Sequence, residues 1–222
     1  MLKMKINALL ILLFSLVCCS MDAQDYLPSD TIFDIEGNAY RTVIIGKQTW
    51  MAENLRTSKY NDSTDIFYKS VKTLQKNIPY FYWYAADAEK YKYPYGGLYN
   101  WYAVNTGKLC PSGWHVPDEA EWDYLAIFLG GSKEAGGKMK DIGTTYWKSP
   151  NMKASNASGF TALPGGICQR TFYYMGKMGF WWSSTDGGDT VTWYRFIKND
   201  SSSLYKNYFG KKFGLSVRCI KD

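Results

Sequence analysis

Leu109-Cys110-Pro111-Ser112-Gly113-Trp114-His115-Val116-Pro117-Asp118-Glu119-Ala120-Glu121-Trp122-Asp123-Tyr124-Leu125 holds a cysteine, a turn, the only histidine of the chain, a proline stop and a helix start in one passage. Asp118 follows Pro117 and stands three residues ahead of Glu121, so its carboxylate can accept from the Glu121 amide while Glu121 reaches back, the reciprocal arrangement of a capping box. Trp122, Leu125, Ala126 and Leu129 recur at i, i+3, i+4 and i+7, which makes one apolar stripe, and Gly130-Gly131 ends it. The spacing predicts a helix over about 118–129.

Outward from this helix the pattern changes to strands. Four segments alternate, 179–185, 190–197, 204–208 and 213–220, and polar or glycine turns at 186–189, 199–202 and 210–212 separate them. They are expected to form a small antiparallel sheet. In the last segment Leu215, Val217 and Cys219 share one face, with Ser216 and Arg218 on the other. Before it, 132–142 is expected to make one weak turn of helix, because Gly136 and Gly137 oppose more, and 159–166 a buried strand and tight turn. Upstream, a turn at 34–38, a β-branched run from Tyr40 to Ile45 ended by Gly46, and a strand opening at Trp50-Met51 predict a hairpin or meander. Residues 61–77 are polar and weakly patterned, 80–84 an aromatic strand. Leu98, Trp101 and Tyr102 keep helical spacing and 105–107 halts it, so a first short helix is expected over about 97–105. The class is α+β, with mostly short antiparallel strands, long loops and two short helices.

The chain opens with Lys3 and Lys5 before an apolar run from Ile6 to Cys19, the pattern of a secretory signal and too short to span a bilayer stably. Leu16-Val17-Cys18-Cys19 resembles a lipobox with Cys19 lipidated, which makes residues 1–19 the leader; cleavage after Ala23 is the alternative. Residues 20–31 are then a flexible tether, and 32–222 one domain, a size that a single core can serve. The expected location is outside the cytoplasm, on the outer-membrane surface as a lipoprotein or else secreted.

Net charge is +6, and residues 195–222 hold seven cations against Asp200 and Asp222. In the absence of any nucleic-acid motif these cations are expected at turns and outward strand positions, as solvated surface, with no nucleic-acid partner. Outside the leader three cysteines remain, Cys110, Cys168 and Cys219, so three pairings are open and one thiol is left over. A Cys110–Cys219 bond would tie the middle of the domain to its last strand, closing a loop of about a hundred residues, and would contribute about 4 to 5 kcal/mol in the chain-entropy model. Cys168 reads as a buried apolar residue.

Asp-Ile-Glu-Gly-Asn-Ala-Tyr (34–40), Trp-Met-Ala-Glu-Asn-Leu (50–55), Gly-Leu-Tyr-Asn-Trp-Tyr-Ala-Val (97–104), Cys-Pro-Ser-Gly-Trp-His-Val-Pro (110–117), Gly-Phe-Thr-Ala-Leu-Pro-Gly-Gly (159–166), Trp-Trp-Ser-Ser-Thr (181–185) and Gly-Leu-Ser-Val-Arg-Cys (214–219) together resemble the Fibrobacter succinogenes major paralogous domain. The resemblance implies a secreted or surface-lipoprotein domain, common in Bacteroidetes and Fibrobacteres, without an established biochemical activity. More distantly, Trp101, Ala103, Cys110 and Gly113-Trp114-His115-Val116 before an acid-capped helix resemble the two-helix half of C-type-lectin-like domains. Residues 116–122 and 214–218 resemble passages of the formylglycine-generating-enzyme group, which shares that architecture. Both likenesses imply a C-type-lectin-like fold with Cys110 paired to Cys219, and neither transfers an activity.

As the only imidazole, His115 must serve any Ser-His-Asp or Cys-His chemistry, yet it sits between Trp114 and Val116 and reads as structural. Oxidases of the formylglycine type need two reactive cysteines, and only Cys168 is expected to be free. No His or Cys spacing suits a metal, no cofactor motif is present, and no catalytic residue is assigned. Glu119, Glu121 and Asp123 read as cap and helix-dipole acids. The calcium-site tripeptides of sugar-binding lectins, Glu-Pro-Asn, Gln-Pro-Asp and Trp-Asn-Asp, are absent from the sequence.

What remains is aromatic surplus. Tyr173, Tyr174, Trp181, Trp182, Trp193, Tyr194, Tyr205 and Tyr208 fall on the terminal sheet and its loops, and alternation sends Trp181 and Trp182 to opposite faces, one into the core and one outward. The outward ring, with Tyr173, Tyr174, Trp193 and Tyr205, is expected to form a platform for a glycan or a cell-surface protein. The expectation is therefore a non-catalytic binding or adhesion module. The alternatives are an enzyme of formylglycine-generating ancestry or a hydrolase, and a ligand-free envelope component.

Overall fold

The computed structural model describes residues 28–69 and 76–222. In chain order the elements are β1 (Pro28–Phe33), β2 (Ala39–Ile45), β3 (Gln48–Met51), β4 (Phe81–Tyr82), a 3-10 turn (Tyr84–Ala86), α1 (Ala88–Tyr95), β5 (Leu98–Tyr99) and α2 (Trp101–Val104). Then follow β6 (Trp114–His115), α3 (Glu119–Phe128), α4 (Ser132–Met139), β7 (Ile167–Cys168), β8 (Phe172–Tyr173), β9 (Met178–Asp186), β10 (Val191–Lys198), β11 (Leu204–Gly210) and β12 (Ile220–Lys221). The protein is thus of mixed α and β structure, its strands gathered in small antiparallel sheets. The leader, Cys19 and both cleavage alternatives lie outside the described residues.

Local chemistry accounts for the first sheet. Asp34 Oδ1 accepts from the amides of Glu36 and Asn38, its Oδ2 accepts from the Tyr40 hydroxyl at 2.7 Å, and Gly37 takes a φ of +78°, so the chain must reverse between β1 and β2. Gly46, at φ +63°, reverses it again into β3. The order β1-β2-β3-β12-β6 then brings the last strand against Trp50 on one side and His115 on the other. The predicted hairpin is present. The tether expected over 20–31 overlaps β1, which runs antiparallel to β2 from the register Pro28↔Val43, and Thr42 Oγ1 donates to the Asp30 carbonyl.

The central helix forms as its sequence dictates. Asp118 accepts from the Glu121 amide at 2.8 Å and Glu121 returns to the Asp118 amide at 2.9 Å, while Trp122, Leu125, Ala126 and Leu129 are all buried. Elsewhere tertiary contacts override local spacing. The helix expected over 97–105 is shortened to α2, because Leu98–Tyr99 pairs with β4 and Tyr99 exchanges both backbone bonds with Leu215; Asn100 caps what is left by accepting from the Ala103 amide. The single weak turn expected at 132–142 is a helix of eight residues, α4. Its two glycines are where the chain comes closest: a Cβ on Gly136 would collide with the Ser203 carbonyl, and one on Gly137 would lie 2.7 Å from the Lys153 carbonyl. Helix α1 was not expected from the spacing; Asp87 starts it by accepting from the Lys90 amide. Residues 159–166 are mostly buried but form only an isolated bridge at Ala162.

The terminal sheet has three strands, in the order β11-β10-β9, rather than four. Residues 213–220 leave it to thread between sheets, touching Cys168, Tyr99 and Trp181 by single bridges before β12. Leu215, Ser216, Val217, Arg218 and Cys219 are consequently all buried, so the two-faced alternation expected there does not separate core from solvent. Three cations expected at the surface are likewise enclosed. Arg218 is wholly buried, donating to the carbonyls of Met51 and Phe160 and to Asn54 Oδ1 at 2.8 Å, with its guanidinium 4.2 Å from the Phe160 ring centroid. Arg195 donates to Glu119 and Asp123, each at 2.7 Å, and Lys211 pairs with Asp186 over the Trp101 ring. Cys110 and Cys219 are joined, with Cα atoms 6.0 Å apart, which leaves Cys168 as the free, buried thiol among the described residues.

Candidate functional site

A depression of about 720 Å³ opens where α1, the loop at 144–148 and the segment 172–177 meet. The 3-10 turn supplies Tyr84, α1 supplies Tyr91 and, past the non-helical Tyr93, Tyr95, the loop supplies Tyr146, and the segment after β7 supplies Phe172, Tyr173 and Tyr174. The rings form a chain of contacts: Phe172 to Tyr84 at 5.0 Å between centroids, Tyr84 to Tyr91 at 5.1 Å, Tyr91 to Tyr95 at 6.1 Å, and Tyr95 edge-on to Tyr146 at 6.0 Å. Phenols on such rings each offer one donor and one acceptor beside an apolar face. Burial raises the Tyr84 and Tyr95 hydroxyls above their ordinary value, already well above neutral, so both are protonated throughout the physiological range.

Backbone contacts set this geometry. Gly166, at φ +67°, lies where any Cβ would strike the Tyr173 carbonyl and come within 2.9 Å of the Tyr84 ring, so only glycine lets these walls approach. Tyr174 adopts φ +66°, and its carbonyl accepts from the amides of Lys177 and Met178 to close the turn that lifts both tyrosines outward. Tyr174 also meets Phe180 at 5.9 Å, where the depression adjoins the edge of the core-facing side of the terminal sheet. On that side Tyr205 stacks on Phe196 at 4.8 Å and Phe196 on Phe180 at 6.0 Å.

The six ring residues expected to bind ligand are thus divided among four places: the depression, the two faces of the terminal sheet, and the core. Tyr173 and Tyr174 line the depression and are 42% and 49% exposed. Tyr205 lies half-buried on the neighbouring sheet face. Trp193 points to the opposite face of that sheet, against Tyr208 at 3.7 Å and under Lys206. Trp181 and Trp182 do face opposite sides, but neither reaches solvent. Both sides of β9 are covered, so Trp181 donates to Asn54 Oδ1 and Trp182 to the Tyr99 carbonyl, each in a separate half of the core. The platform role expected of one of them is therefore corrected. Sequence reasoning missed Tyr84, Tyr91, Tyr95 and Tyr146; the only local signal was the density of tyrosine in Lys90-Tyr91-Lys92-Tyr93-Pro94-Tyr95.

Groups with catalytic potential are otherwise engaged. His115 is not sealed, its side chain being 42% exposed, but Nδ1 faces Asp222 at 2.6 Å and Nε2 faces Glu121 at 2.9 Å. A ring with carboxylates at both nitrogens is satisfied only as a double donor, which suits an imidazolium clamp and leaves no basic nitrogen. The cavity beside it measures about 140 Å³. Burial pushes the Cys168 thiol up to about 12, away from the reactive thiolate. Glu119 and Asp123, read as dipole acids, hold Arg195 and Lys206 and so bolt α3 onto the terminal sheet.

Fold and depression together define a class: a disulfide-closed domain of mixed α and β structure, with small antiparallel sheets and an aromatic cleft built between loops. The chain belongs to the Fibrobacter succinogenes major domain family, whose model matches residues 43–221, a span that contains the disulfide and the whole cleft. No curated protein and no solved structure matches the chain.

Proposed function

We propose that this protein is a non-catalytic, exported binding module of C-type-lectin-like fold that recognises glycan through the aromatic cleft. The observation that carries the reading is the convergence of Tyr84, Tyr91, Tyr95, Tyr146, Tyr173 and Tyr174 on one open space of about 720 Å³. That volume falls in the range of small-ligand sites, and its make-up suits sugar: flat apolar rings for the C–H faces of a pyranose, and phenol hydroxyls for its oxygens. The disulfide supports an oxidising compartment, in accord with a leader and with anchorage at Cys19 to the outer membrane. The clamped state of His115 and the inert Cys168 favour binding over turnover.

Affinity electrophoresis on immobilised polysaccharides, run with the wild type, Tyr91→Ala, Tyr174→Ala and the remote control Tyr208→Ala, tests this. Retardation on at least one glycan, lost with Tyr91→Ala or Tyr174→Ala and kept with Tyr208→Ala, is expected. Absence of retardation on every polysaccharide refutes glycan recognition, and release of new reducing ends from a retained polymer refutes the non-catalytic assignment.

A further inference from the structure

We infer that the cleft takes an anionic glycan, one carrying carboxylate or sulfate groups; this inference rests on the glycan reading above and narrows it. The walls contain Lys148 and Lys177 but no aspartate or glutamate. Both lysines are exposed, and neither forms an ion pair among the described residues.

Backbone contacts hold the two lysine-bearing loops together. Asn199, in the turn between β10 and β11, donates from its side-chain amide to the carbonyls of Lys148 and Ser149 at 3.1 and 2.9 Å, and from its backbone amide to the Lys177 carbonyl at 2.9 Å. The Lys148 amide donates to the Gly176 carbonyl at 2.7 Å. The Lys148 stem lies along Gly176, since a Cβ built there would be 3.2 Å from Lys148 Cγ, so glycine gives the aliphatic chain its bed. One residue, Asn199, therefore pins the two loops that contribute Lys148 and Lys177 to the lining of the cleft. The carboxylate next to that pin, Asp200, is engaged by Lys198 at 3.9 Å. A stacked sugar ring in this space leaves its substituents toward two uncompensated positive charges, which favours an anionic ligand and disfavours a cationic one.

Matched polymers that differ in charge alone test the inference: pectate against fully methyl-esterified pectin, and dextran sulfate against dextran. The protein variants are wild type, Lys148→Gln/Lys177→Gln, Lys148→Arg/Lys177→Arg, and Lys212→Gln/Lys221→Gln, which removes equal charge outside the cleft. Retention on a charged member but not its neutral partner is expected, weakened about tenfold or more by the cleft glutamines and restored by the arginines. The Lys212→Gln/Lys221→Gln protein should bind like wild type. Pectate alone identifies the carboxylate as the group recognised, and dextran sulfate alone the sulfate ester. Equal retention on neutral polymers, indifferent to Lys148→Gln/Lys177→Gln, overturns the anionic preference while leaving glycan recognition standing. Equal weakening by both glutamine pairs overturns it too, since binding then follows diffuse charge. Retention on no polymer of any kind, across the wider panel as well, overturns both readings. All the replaced lysines are exposed, and unchanged unfolding midpoints establish that the variants fold.

Discussion

Removal of the Cys110–Cys219 bond tests how the domain holds its shape. The bond joins residues 109 apart in sequence, through the loop before β6 on one side and the residue before β12 on the other. In the chain-entropy model a closed loop of that length takes about 16 cal/mol/K from the unfolded chain, or about 4.8 kcal/mol at 25 °C. Both cysteines are buried, at 2% and 0% exposure, so Cys110→Ala/Cys219→Ala leaves only small voids, which add about 1 kcal/mol. Alanine is the better replacement, because a serine hydroxyl in this site would be enclosed without assured partners. With a urea dependence near 3 kcal/mol per molar, the expected loss lowers the unfolding midpoint by about 1.6 to 2 M. Equilibrium unfolding followed by tryptophan fluorescence measures it, with Cys168→Ala as a control that removes a buried sulfur but no cross-link. A midpoint shift below about 0.5 M would refute the reasoning, for it would mean that the unfolded chain already keeps these segments together.

Three further outcomes follow from packing and charge. Hydrogen bonds to Asp222 and Glu121, together with their charges, outweigh the burial that opposes protonation and hold His115 above its ordinary 6.5. A raised folded-state value stabilises fully below about pH 6.5 and is lost as pH rises through the raised value. The advantage of wild type over His115→Gln, under about 1 kcal/mol because the ring is partly solvated, should therefore shrink as pH rises above about 6.5; an advantage that grows with pH contradicts the clamp. Gly136→Ala gains about 1 kcal/mol of helix propensity but drives a Cβ into the Ser203 carbonyl, so calorimetry should show a lower melting temperature despite the better helix former. Arg195→Met strips a buried guanidinium from Glu119 and Asp123 and should cost about 2 to 4 kcal/mol, moderated because Lys206 remains at 2.7 Å from Glu119. Combining it with Glu119→Gln in a double-mutant cycle should reveal coupling of about 1 kcal/mol or more, and strict additivity would deny the bolt between helix and sheet.

Wherever a feature depends on neighbours within a turn or two, the amino-acid order was enough. Asp118 and Glu121 lie within reach of each other in any helix that starts there, and Trp122, Leu125, Ala126 and Leu129 share a face by spacing alone. The turn at Asp34 and Gly37, the strands β9, β10 and β11 and the family itself were legible for the same reason. The disulfide was implied by the resemblance, and the structure forms it. Burial is another matter. Trp181 and Trp182 alternate as expected, yet what covers each face comes from Asn54, Tyr99, α3 and residues 213–219, segments far away in sequence. Arg195, Lys211 and Arg218 look like any surface cations until distant carboxylates, carbonyls and rings close around them.

The cleft shows the same division. Its tyrosines come from four separate stretches, and no periodicity links Tyr84, Tyr91, Tyr146 and Tyr174. The sequence by itself determined the local devices: caps, turns, alternation, and an aromatic surplus greater than a core of this size needs. Only the tertiary structure decided which rings are enclosed and which face outward, because exposure is set by every chain segment that passes nearby, and contacts between remote segments leave no local trace in the order of residues.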